Sequence, residues 1–104
     1  MVKEISSDEL KRKLDEGEDV QVVDIRNPPS FAQGHIPGSD NVPFAKLTME
    51  IDGYEWRDDV VVVCPIGESS KQAARLIESY EGFDGEAASL EGGVTEWEYD
   101  LETD

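Results

Sequence analysis

The sequence predicts an α/β fold built on a central, mainly parallel sheet with helices on both faces. Two observations carry this. The runs Val20-Gln21-Val22-Val23-Asp24-Ile25 and Val60-Val61-Val62-Val63 are short, β-branched and almost continuously apolar, as strands buried on both faces are. Segments with helical apolar spacing lie between such runs, and strands that alternate with helices pack as a sheet covered on both sides. A chain of 104 residues suits one domain, residues 1–104, with a real core and no room for a second.

Each element follows in order. Ser6-Ser7-Asp8-Glu9 reads as a capping box, with Leu10 and Leu14 one turn apart and Gly17 beyond, so a helix is expected from about Ser7 to Glu16. The strand Val20–Ile25 ends at Asn27-Pro28-Pro29, which blocks further pairing. Ser30 to Gln33 allows one helical turn, and Gly34-His35-Ile36-Pro37-Gly38 is a turn-rich connection. A very short strand at Asn41-Val42, a helix from Phe44 to Glu50 and a turn at Asp52-Gly53 precede the Val60–Val63 strand. From Ser70 to Tyr80, Ala73, Ala74, Leu76 and Ile77 share one helical face. Glu86-Ala87-Ala88-Ser89-Leu90 is a weaker strand. After the Gly92-Gly93 turn, a final helix is expected to carry Val94, Trp97 and Leu101, with a tail from Asp100 that frays.

Charge narrows the function. The chain holds 25 acidic and 9 basic residues, a formal net charge of −16 distributed along its length. Such a surface repels nucleic acid phosphates and anionic membranes, so neither is an expected partner. The apolar pattern is regular enough to fold, which makes this a solvated acidic surface of the kind that suits a halophile: in molar salt the Debye length falls to about 3 Å and self-repulsion is screened. No apolar run of roughly 18 residues and no leader-like N-terminus is present, so the expected location is cytoplasmic. One cysteine and one histidine make neither an internal disulfide nor a four-ligand zinc site. No metal or organic cofactor is expected.

The strongest local signal is Cys64-Pro65-Ile66-Gly67-Glu68-Ser69-Ser70, a short loop between a buried strand and a helix. Successive loop N–H groups and the helix dipole stabilise a negative charge there, and the thiolate is the nucleophilic form of cysteine. Gly67 lets the backbone bend, while Ser69 or Ser70 is placed to cap the helix and to donate a hydroxyl hydrogen bond. Arg26 follows a parallel strand at the same sheet end, where ligands of such sheets bind, so it is expected to face the same crevice. Pairing with Asp24 and binding substrate are equally open to it. His35 is read as a structural hydrogen-bonding residue in its turn, and Trp56 and Trp97 as packing residues.

Taken together, Asp24-Ile25-Arg26, Phe31-Ala32-Gln33-Gly34-His35-Ile36-Pro37-Gly38-Ser39-Asp40-Asn41-Val42-Pro43, the Cys64 loop, and Leu90-Glu91-Gly92-Gly93 with Trp97 resemble the single-domain rhodanese family in order and spacing, over nearly the whole chain. The resemblance implies a sheet of about five strands and a sulfurtransferase, or persulfide carrier, in which Cys64 accepts sulfane sulfur and passes it to a thiophilic acceptor. It also implies an anion-binding loop at Pro65, Ile66, Gly67, Glu68, Ser69 and Ser70. Many active members carry a basic residue in that loop, whereas this chain has none before Lys71. Thiosulfate should therefore bind poorly, and a protein persulfide or small thiol species is an alternative donor, with a protein as a possible acceptor. Two other readings stand beside this one. A catalytically silent module would bind a protein or sense oxidants through the thiol. A cysteine phosphatase or arsenate reductase would need an arginine at the loop's end, where Ser70 stands.

Overall fold

A computed structural model describes residues 2–103. Five strands, β1 (Lys3–Ile5), β2 (Gln21–Asp24), β3 (Asp40–Asn41), β4 (Asp59–Val63) and β5 (Glu86–Leu90), form one sheet in the order β1-β5-β4-β2-β3, and every pairing in it is parallel. Four helices accompany them: α1 (Ser7–Asp15), α2 (Pro28–Gln33), α3 (Phe44–Glu50) and α4 (Ser69–Ser79).

The Val60–Val63 run lies at the centre because both of its faces are apolar. Its residues alternate between two cores, as side chains in a strand must. Val60, Val62 and Cys64 pack with Leu47, Ala73, Ala74, Ile77 and Phe83 on the α3/α4 side. Val61 and Val63 pack with Leu10, Ile36, Leu90 and Trp97 on the α1 side. Register then fixes the site: Asp24 pairs with Val63 and Val62 with Ser89, so the C-terminal ends of β2, β4 and β5 lie side by side.

Helix starts are set locally. Ser6 accepts the Glu9 N–H at 3.1 Å to cap α1, and Asn27 accepts the Ser30 N–H at 3.0 Å to cap α2, where Pro28 and Pro29 occupy the first turn and lose no helical hydrogen bond. Helix α4 differs from the expectation. Its flanking residue is Glu68 and no side chain caps it, because Ser69 and Ser70 both lie inside the helix.

Three further differences have physical causes. The edge strand β1 was not expected: three residues with only Ile5 buried offer no readable alternation, and pairing with β5 creates the strand. The final helix is one 3₁₀ turn, Val94–Glu96. Val94 and Trp97 have the spacing of that turn, after which Trp97 is buried edge-on to Tyr99, and no further helix follows among the described residues. Finally, the tail is held through Glu102, which exchanges backbone hydrogen bonds with His35 at 2.8 and 2.9 Å, while Leu101 packs against Gly34. Among the described residues no helix is long and apolar enough to cross a membrane.

Candidate active site

Cys64 is the first residue after the central strand and is 1% exposed. Its Sγ accepts the Gly67 N–H at 3.0 Å and lies 3.3 Å from Ser70 Oγ. Burial pushes the thiol up, but hydrogen bonds from the Ser70 hydroxyl and from the N–H groups of Ser70, Gly67 and Ile66 outweigh it and hold the thiol below its ordinary value. Donors that converge on one sulfur make a cradle for negative charge.

The loop takes this shape because of what meets it from behind. Gly67 has φ +88° and sits so close to the β5 exit that an added Cβ would lie 3.1 Å from the Gly92 nitrogen. Gly93, at φ +62°, comes closer still: a Cβ there would stand 2.2 Å from the Cys64 carbonyl oxygen. That approach lets Val94 and Thr95 donate their N–H groups to the carbonyls of Cys64 and Pro65 at 2.9 and 3.0 Å. The loop's carbonyls are thereby turned toward the 93–95 turn, away from the sulfur that its N–H groups face.

Not all expected residues converge. Gly67 and Ser70 are buried against the sulfur, whereas Pro65, Ile66, Glu68 and Ser69 are exposed on the outside of the loop. Ile66 is 63% exposed at its crown. Arg26 lies beside Pro65 in a cavity of about 360 Å³, with Ser30, Gln33, Thr95 and Leu101. Its guanidinium is already committed: it donates to both Asp24 carboxylate oxygens at 2.7 to 3.0 Å and to the Gly34 carbonyl at 2.7 Å. Of its two open roles, pairing with Asp24 is the one observed. The first cation after the loop, Lys71, faces Glu4 at 3.8 Å. His35 donates from its ring to the Phe31 carbonyl at 2.8 Å and stacks on Phe31.

One participant, Ser89, has no sequence signal of its own, and another, Gly93, has only that of a turn which the family resemblance places near the rim of the site. Ser89, buried on β5, brings its hydroxyl to 2.6 Å from that of Ser70. Gly93 is visible in the sequence as part of a tight turn, but its contact with the Cys64 carbonyl exists only in three dimensions.

A five-stranded parallel sheet whose central strand delivers a cysteine into a loop of converging amides defines a rhodanese-like domain. Residues 6–100 match the family model described as Rhodanese-like domain, and the chain belongs to that family. It is 36% identical over 97 residues to a sulfurtransferase of Allochromatium vinosum, covering 93% of this chain and 89% of that one. It is 38% identical over 96 residues to the thiosulfate sulfurtransferase GlpE of Pseudoalteromonas translucida, covering 92% and 89%. Among solved structures it is similar to a rhodanese-like domain protein from Staphylococcus aureus, with a TM-score of 0.84, 31% identity and 99% of each chain covered.

Proposed function

We propose that the protein is a rhodanese-type sulfurtransferase that carries sulfane sulfur on Cys64. The observation that supports this most is the Gly67 N–H at 3.0 Å from the sulfur, with the Ser70 hydroxyl beside it. The thiolate attacks the outer sulfur of a donor R–S–S⁻. A Cys64 S–S bond forms as the donor's S–S bond breaks, and the bonding pair leaves with R–S⁻, or with sulfite when the donor is thiosulfate. A thiophile such as cyanide then takes the terminal sulfur as thiocyanate and regenerates the Cys64 thiolate. The loop amides offset the charge on sulfur before and after transfer, so no metal enters the cycle.

The similarity to the thiosulfate sulfurtransferase of Pseudoalteromonas translucida makes thiosulfate the first donor to test. In this chain Glu68 adds a negative charge to the loop and Arg26 is spent on Asp24 and Gly34. Thiosulfate is therefore a weak donor, and a persulfide presented on a protein or a small thiol is the better one, with a protein thiol or other thiophile as acceptor. The reaction belongs in the cytoplasm, where reductants keep an unpaired thiol free, and in a salt-rich cell whose ions screen the acidic surface.

Intact-protein mass spectrometry in high salt, after incubation with a polysulfide or thiosulfate and then cyanide, tests the reading. The expected result is a gain of one sulfur atom that cyanide removes and that Cys64→Ala lacks. Loading should rise with pH and level off below the range of an ordinary thiol, because the thiolate is the attacking form and its acidity is raised. Folded protein that gains no sulfur from either donor would return the chain to the silent binding or sensing reading.

A further inference from the structure

We infer that Ser89, outside the loop, is a positioning residue for Cys64: its hydroxyl donates to Ser70 and so turns the Ser70 proton onto the Cys64 sulfur. The inference deepens the sulfurtransferase reading and rests on Cys64 being its nucleophile. Ser70 and Ser89 are fully buried, with their oxygens 2.6 Å apart, and Ser70 Oγ is 3.3 Å from the sulfur. Ser89 shares its side of β5 with Ala87, in a core made of Val62, Ala73 and Ala74. An alanine would pack there, so a hydroxyl needs a partner to offset its burial.

The direction of the bonds follows from counting protons. Each hydroxyl has one proton to donate. Among the described residues, Ser89 Oγ has one side-chain partner, Ser70, whereas Ser70 has two, Ser89 and Cys64. If Ser70 donated to Ser89, the Ser89 proton would be buried with no acceptor. With the thiol protonated, Cys64 Sγ donates to Ser70 Oγ; once ionised it only accepts, and if Ser89 then donates to Ser70 and Ser70 to the sulfur, both hydroxyl protons are used and the chain ends on the thiolate. Polarisation along the two bonds strengthens the second. Charged groups on the surrounding elements stand apart from this pair: Asp24 is held by Arg26, Lys71 faces Glu4, and Glu68 and Glu91 are exposed.

The ultraviolet absorbance of the thiolate, titrated with pH on the whole folded protein, tests this. Cys64→Ala serves as the blank for the tyrosines, and because the chain has one cysteine the signal belongs to one sulfur. Ser89→Ala should raise the thiol midpoint by about half a pH unit. Ser70→Ala should raise it further, and adding Ser89→Ala to Ser70→Ala should raise it no more, because Ser89 acts only through Ser70. An unshifted midpoint in Ser89→Ala, or a shift that persists without Ser70, overturns the inference. Should Ser89→Ala not fold, the isosteric pair Ser89→Thr and Ser89→Val reads the same hydroxyl at constant volume: equal midpoints overturn it, and a higher one in Val supports it. No sulfur donor is used, so these results stand apart from the sulfur-loading experiment.

Discussion

Arg26 shows how geometry decides between two uses of one residue type. A guanidinium with both carboxylate oxygens of a buried aspartate in hydrogen-bond reach is a brace between the end of β2 and the Gly34 turn. Its removal leaves Asp24, 1% exposed, as an uncompensated buried charge. We predict that Arg26→Ala costs about 3 to 5 kcal/mol of stability in denaturant unfolding, while variant that remains folded still accepts sulfur. Unchanged stability together with lost thiosulfate use would make Arg26 a substrate ligand after all. At this scale the sequence was informative where a residue's role is local. Cys64 and its loop, Asp24 beside Arg26 and the hydrogen bond of His35 are all legible within a few positions. Ser89 was not, because a serine in an apolar strand acquires meaning only when register sets it against α4.

Among the elements, the 93–95 turn does more than reverse the chain. It orients the Cys64 loop by taking up that loop's carbonyls, which works only because Gly93 has no side chain. Gly93→Ala should therefore destabilise the fold by about 3 kcal/mol, since it adds strain at positive φ to a clash with backbone. Gly53→Ala, with nothing within 4 Å, should stay within about 0.5 kcal/mol of wild type, as surface changes usually do. Thermal unfolding of the two variants checks both, and equal melting temperatures would remove the turn from the site's framework. The central strands and α1, α3 and α4 could be read from the sequence because apolar period and caps are local signals. The edge strand β1 and the bridge at Glu102 could not, since each is made by a partner distant in sequence. The apolar spacing of Val94 and Trp97 fits a single turn as well as a helix, and a short segment does not distinguish them.

For the whole molecule, the decisive quantity is a net charge of −16 on 104 residues. Arg12 and Lys13 are paired with acids at 3.0 and 2.7 Å, yet 9 cations cannot neutralise 25 carboxylates. Stability should therefore rise as added salt shortens the screening length from about 10 Å at 0.1 M to about 3 Å at 1 M. Circular dichroism during a potassium chloride titration, with unfolding midpoints in dilute and molar salt, measures this; midpoints that agree would show that the acidic surface is tolerated without screening. The sheet order has a consequence of another kind. Val94 and Thr95, which orient the Cys64 loop, follow β5 directly, and β5 pairs with β4, so the loop is backed only once two strands distant in sequence have met. In an unfolded chain Cys64 has neither that backing nor its converging donors, so the cradle around its sulfur is a property of the folded sheet.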